Sequence, residues 1–356
     1  MKRRTTPTGA GRTEAAEESD RAEHAARAEP AEAAEAAHLA RPTEPAEPAA
    51  LTRPGQRAEP ADDSAWNPVP TRTLVHALVR TDGTVDAGEL YTVAGLLSMT
   101  DQQVRLCVKR LVAEGRFTHE GRGRKAVLRA VADPTGAIAP DAAHVGHAYR
   151  QDHGLAPWDG RWHLFAFAVP ESARAARDAL RDTLLHLGAA PLQGGLYAAA
   201  NPIEPLVEAQ ARHLGVPGQV TYLTSTDLRV GDVAEPRALA AALWPLDEIA
   251  ARHDRLAAFA RSCLDRLENP DDAEHAASPT APERLTLAVQ LAAAFTYAMG
   301  PDPLLPPELL PAPWPGARAR QLFATAWTAL TDRPGPDSGP PLPRLFALYE
   351  DLTAYA

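Results

Sequence analysis

Residues 100–131, TDQQVRLCVKRLVAEGRFTHEGRGRKAVLRAV, constrain the chain more than any other stretch, because they demand a helix followed at once by a hairpin. Thr100 is an N-cap, and Gln103, three residues on, completes a capping box. Val104, Cys107, Val108 and Leu111 recur at helical spacing and define one apolar face. Gln102, Gln103, Arg105, Lys109 and Arg110 are left outside it. Gly115 is a stop signal. Residues 116–119 and 125–130 then read as two strands, with a Gly/Arg tip at 120–124. From Gln102 to Arg129 eight side chains are basic and two are acidic, a local +6. Taken alone, the stretch has a less favoured alternative, a solvated amphipathic helix with an ordinary hairpin.

Two helices upstream favour a more specific reading. Residues 71–81 form an amphipathic pattern with Leu74, Val75, Leu78 and Val79 apolar, ended by Asp82-Gly83. Residues 86–98 form a second, capped by Asp86, with Leu90, Val93, Ala94 and Leu97 inward. Three helices and a wing give the order of a winged helix-turn-helix, whose third helix enters a DNA major groove. Gln and Arg suit base edges there, and a Gly/Arg tip reaches phosphates.

Composition weighs on this reading through its distribution. The 356 residues carry a formal net charge of −10, which as a sum argues against nucleic-acid binding. Residues 66–131, however, hold ten basic and six acidic side chains, a local +4. A basic module on an acidic body is the pattern expected of a DNA-binding regulator. The two cysteines, Cys107 and Cys263, lie far apart in helical patterns, which excludes a disulfide framework or paired-cysteine zinc site and suits a reducing cytoplasm. No apolar run approaches the roughly 18–20 residues of a membrane span. MKRRTTPTGAGR is basic but no apolar stretch follows it, so it does not read as a secretory signal. The Ala, Arg and Pro bias points to a GC-rich bacterial genome.

Around this module the chain divides by pattern. Residues 1–65 are Ala/Glu/Pro/Arg-rich, without the large apolar residues that offset ordering entropy, and read as a disordered tail. Residues 66–131 are the winged helix-turn-helix, and 132–157 a linker with a short helix at 141–151. His144, His147 and His153 in that linker read as solvated rather than metal-binding, because no third ligand is fixed by spacing. Residues 158–232 show a βαββαβ pattern, expected to form a ferredoxin-like central domain. Residues 233–356 are helical, with a break at Trp244-Pro245 and Pro-rich turns. The fold class expected is therefore multidomain α+β: an N-terminal winged helix-turn-helix, a ferredoxin-like centre and an all-α C-terminal domain.

Three stretches carry a resemblance to a known family. MTDQQVRLCVKRLVAEGRF with EGRGRK looks like a recognition helix and wing; PWDGRWHLFAFAVPESARAARDALRDTLLHLGAAPLQGGLYAAANP like a central signature; DPLLPPELLPAPWPG with the helix after it like a C-terminal one. Together they resemble the PaaX-type transcriptional repressors, named for control of phenylacetic acid degradation, collinearly over residues 71–329. The resemblance implies a cytoplasmic homodimer that binds operator DNA and is released by a small effector, phenylacetyl-CoA or another acyl-CoA. It also implies a central domain similar in fold to small CRISPR-associated nucleases, but Val169-Pro170-Glu171 after the first strand offers no carboxylate cluster for a metal. Leu106 and Lys109 stand where small hydroxyl residues are usual in the family, and Ala126-Val127-Leu128 replaces an aromatic-rich strand. The long tail is a further departure.

The DNA-binding candidates are Gln102, Gln103, Arg105 and Lys109 in the groove and Arg110, Arg122, Arg124 and Lys125 on phosphates. Arg110 has a competing partner in Glu114 at i+4. Trp158, Trp162 and Tyr197 are candidates to border an effector pocket, with interface packing as their alternative. Arg161, Arg174, Arg177 and Arg181 are candidates for CoA phosphates, against ordinary helix charge beside Asp178 and Asp182. No catalytic residue, metal or cofactor is expected: the chain lacks a Gly-rich phosphate loop, a Ser-centred elbow and a metal-spaced carboxylate pair. The rival readings are an interaction protein using the winged helix for protein contacts and, less favoured, an acyl-CoA-handling enzyme.

Overall fold

The computed structural model describes residues 69–131, 142–268, 279–331 and 343–353. The expected tail at 1–65 lies outside the described residues. The architecture mixes helices with two small antiparallel sheets.

The chain begins with α1 (Thr71–Ala77), β1 (Thr84–Asp86), α2 (Ala87–Leu96) and α3 (Asp101–Ala113), then β2 (Phe117–Glu120) and β3 (Val127–Ala130). Asp86 caps α2 by accepting from the Glu89 amide at 2.8 Å. Thr100 and Gln103 close the capping box of α3. Two features differ from the sequence pattern. Helix α1 stops four residues early, because Arg80 turns into extended pairing: its amide donates to the Thr84 carbonyl at 2.8 Å and it bridges to Pro343. Strand β1 is additional, and completes a sheet of order β1-β3-β2. In the β2–β3 connection Gly121 adopts φ +88°, and a Cβ there would press within 3.3 Å of Ala126 Cα.

Helix α4 (Ala142–Asp152) follows, and it is a core element rather than a solvated connector. Val145, Ala148 and Tyr149 are buried, and Asp152 pairs with Arg320 at 2.6 Å. His147 hydrogen-bonds Asn201 at 3.2 Å.

The second sheet comes from β4 (Trp162–Phe167), α5 (Arg174–His186), β5 (Ala190–Pro191), β6 (Leu196–Ala199), α6 (Glu204–His213) and β7 (Val220–Ser225). Its order is β5-β6-β4-β7, every pair antiparallel. Both faces are covered, which explains the near-continuous apolar run of β4. Phe165 clusters with Leu180, Leu184 and Val207 of α5 and α6 on one face. Trp162 packs with Leu239, Ala240 and Trp244 on the other, where α7 (Pro236–Leu243) lies.

Helices α8 (Leu246–Glu268), α9 (Ala281–Met299), α10 (Gly316–Thr331) and α11 (Arg344–Thr353) complete the chain. The break before α8 falls at Trp244-Pro245, as the proline dictates. Helix α9 starts earlier than the apolar pattern suggests, because Thr280 and Glu283 form a second capping box. Phe295, Phe323, Trp327 and Tyr349 interlock at its centre, with Phe295 and Phe323 ring centroids 4.1 Å apart. These helices do not form a core of their own. One continuous buried cluster runs from Val69, Leu74 and Leu90 through Leu111, Tyr149 and Phe295 to Leu352. The first three helices are thus packed into the same apolar interior as α4, α9 and α11, and the Arg344 amide donates to the Val79 carbonyl at 2.8 Å across that junction. No helix among the described residues is long and apolar enough to cross a membrane.

Candidate functional site

The outer surface of α3 follows from its inner one. Val104 and Leu111 are buried, Cys107 and Val108 half-buried, so helical spacing turns Gln102, Leu106 and Lys109 directly outward. Arg105 and Arg110 flank that stripe on opposite sides, and all five are exposed. Gln103 is exposed too, but its side-chain oxygen accepts from the Thr100 amide at 2.7 Å, so the helix terminus holds it. That is a structural task which the groove assignment left out; only its amide nitrogen is free to reach outward.

Acidic side chains near α3 are engaged elsewhere. The expected competitor of Arg110, Glu114, is instead gripped by Arg72 through two bonds of 2.8 and 3.2 Å. That contact holds the Glu114 carboxyl below its usual range, first through the Arg72 hydrogen bond and then through neighbouring guanidiniums. Arg105, Lys109 and Arg110 have no ion-pair partner among the described residues. On the β2–β3 hairpin, Arg124 lies 3.6 Å from Asp101 and 5.4 Å over the Tyr91 ring, and Arg129 lies 3.7 Å from Glu120. Arg122 and Lys125 are exposed and unpaired among the described residues. The surface therefore offers five free cations, two amide side chains and one exposed apolar residue, Leu106 at 48%. Such a set suits a polyanion with readable edges.

The seven effector candidates do not form one site. Trp162 is almost wholly buried between Trp158 and Trp244, at centroid distances of 5.6 and 6.2 Å. The Trp158 indole N–H donates to the Arg161 carbonyl at 3.0 Å. Tyr197 lies opposite Phe165 in the β4–β6 register, on the other face of the sheet, stacked on Phe167 at 5.6 Å. Arg174, Arg177 and Arg181 are each matched by a carboxylate of their own surface: Arg177 with Glu171 at 2.9 Å, Arg181 with Asp182 at 2.9 Å, Arg174 with Asp178 at 3.7 Å. The aromatic residues pack the sheet and the arginines form a solvated ion-pair chain on α5.

The sequence reading missed a different group of polar residues. Asp152, His253, Asp302 and Arg320 come from α4, α8, the segment before α10, and α10, and meet in the interior. Four residues dispersed over 169 positions carry no spacing signal; a charged Arg on the apolar side of the α10 pattern was the one available cue.

Residues 155–240 match the model of the PaaX protein central Cas2-like domain, and residues 244–335 match that of the PaaX-like protein C-terminal domain. No curated protein matches the chain. Among solved structures, the uncharacterized protein Rv0674 from Mycobacterium tuberculosis aligns at 21% identity and a TM-score of 0.39, over 80% of this chain and 95% of that one. The two matched models follow one another in order, and between them they cover the four-stranded sheet with α5 and α6, and helices α8 to α10, half of all the residues. On that correspondence, the chain belongs to the PaaX family.

Proposed function

We propose that the protein is a DNA-binding transcriptional regulator that acts as a repressor, with α1–α3 and β1–β3 serving as a winged helix-turn-helix and the four-stranded unit as a ferredoxin-like domain. The observation that carries this reading is the unpaired cationic stripe of α3, set beside acidic residues that are all turned into other contacts. In the cytoplasm, a dimer would place two α3 helices in successive major grooves of an inverted repeat, one helical turn apart. Arg105 and Lys109 would read base edges with Gln102, while Arg110, Arg122 and Lys125 neutralise phosphates. The small effector, an acyl-CoA such as phenylacetyl-CoA, would favour a dimer whose helices no longer match the half-site spacing.

A gel-shift titration on the protein's own upstream DNA, at two salt concentrations, tests the reading. Arg105→Ala with Lys109→Ala is expected to weaken specific binding by about thirtyfold or more, from about 1–3 kcal/mol per lost base contact. Arg122→Ala with Lys125→Ala should weaken binding to any sequence and lower the salt slope by about two. Absence of specific binding at either salt would favour the interaction-protein reading instead.

A further inference from the structure

The strongest feature is a cleft of about 300 Å³ between α4, α7, α10 and the 302–312 segment. Its walls are apolar at Leu305, Leu310 and Pro311, and its floor is polar.

The donors on that floor are the informative part. Arg320 is buried, and its Nε and Nη2 donate to Asp152 at 2.7 and 2.6 Å. Its remaining nitrogen, Nη1, has only Met299 Sδ and Asp302 Oδ2, each at 3.8 Å. The Trp314 indole N–H, also on the cleft wall, has no hydrogen-bond partner among the described residues. The two nitrogens flank one point: a Cβ on Gly316 would lie 2.7 Å from Trp314 Nε1 and 3.3 Å from Arg320 Nη1. Glycine at 316 therefore keeps two N–H donors open side by side.

Acceptors are accounted for. Asp302 Oδ2 takes the His253 imidazole at 2.7 Å and its Oδ1 takes the Leu304 amide at 2.9 Å. The Leu304 carbonyl receives Gln151 at 2.7 Å and Asn201 at 2.8 Å. These bonds hold Leu304 at φ +52°, a conformation that costs a bulky residue about 1–3 kcal/mol and clusters at ligand sites. The charges on the walls balance: Arg237 and Arg320 against Asp152 and Asp302. With no net charge on the walls to offset the desolvation of an ion, a neutral acceptor is favoured.

We propose that this cleft binds a small uncharged carbonyl compound, an amide, ester or thioester with an apolar body, whose oxygen accepts from Arg320 Nη1 and Trp314 Nε1 while the body lies against Leu305 and Leu310. Helices α4 and α10 carry its floor and share the core in which α1–α3 are set, so occupancy bears on the N-terminal unit. That last step rests on the regulator reading; the binding itself does not.

Ligand-observed NMR on the full chain, without DNA, tests the site. The probes are a matched panel of small phenyl- and alkyl-bearing amides, carboxylates and amines. Amides are expected to bind in preference to both other classes. Trp314→Phe, which keeps the ring but removes the N–H, should weaken them severalfold. Ala317→Trp, at an exposed position on the cleft rim, should abolish binding while thermal unfolding stays cooperative. Binding of no amide, equal binding to either variant, or preference for carboxylates would overturn the proposal. Because no DNA is present, these outcomes are independent of operator binding.

Discussion

Burial of single ionisable groups sets several of the protein's responses. Asp302 is the extreme case. Burial opposes its charge, but the His253 hydrogen bond, the His253 and Arg320 charges and the Leu304 amide outweigh that and hold it below the ordinary carboxylate value. His76 moves the other way from the usual paired histidine. Burial, then the charges of Arg72 and Arg116, hold it below its ordinary 6.5. The unfolded chain thus takes up the proton more readily than the folded one. The contribution of His76 is fully present above the unfolded value and is lost as pH falls through 6.5 toward the lower folded value. Thermal unfolding from pH 8 to 5 should show stability declining, and His76→Gln should flatten part of that decline. The cysteines offer a second check. Burial pushes the Cys263 thiol up to about 12, and also raises Cys107, which is only half-buried. A thiol reagent at pH 8 is expected to titrate one cysteine in the native protein and two after denaturation.

Among the elements, α3 shows what the sequence announces and what it hides. Thr100 and Gln103 identify the capping box from their spacing alone, and the contacts are those expected. Thr100→Ala should cost about 1 kcal/mol of stability, read by denaturant unfolding. Asp86 and the Trp244-Pro245 break were equally legible, because caps and prolines act locally. Strand β1 was not: three residues have no period to detect, and they become a strand only by pairing with β3 more than forty positions on. The partner of Glu114 was hidden for the same reason, since Arg72 lies far away in sequence while Arg110 sits at helical spacing. The effector candidates are divided in space because alternation along a strand sorts residues within it but does not say which face of the sheet two strands share. Trp162 and Tyr197 sit on opposite faces.

For the whole molecule, the merging of the N-terminal helices with α4, α9 and α11 decides how it unfolds. Leu345, Phe346, Tyr349 and Leu352 of α11 are buried in the shared cluster, at roughly 1.5–3 kcal/mol for each large side chain removed from water. A chain ending after Thr331 should therefore lose several kcal/mol and bring down the N-terminal unit together with the helical body, as one transition by circular dichroism and by tryptophan fluorescence. A separate, earlier transition of the N-terminal unit would contradict the shared interior. The same packing bears on how such a protein can diversify. A reading head joined by a flexible tether can be exchanged between relatives at the tether. Here the seam runs through side chains from both ends of the chain, so a foreign head grafted at residue 131 would meet α9 and α11 with the wrong knobs. On the regulator reading proposed above, new target preferences would come mainly from point changes on the outward stripe of α3, where Gln102, Leu106 and Lys109 are exposed and outside the shared core.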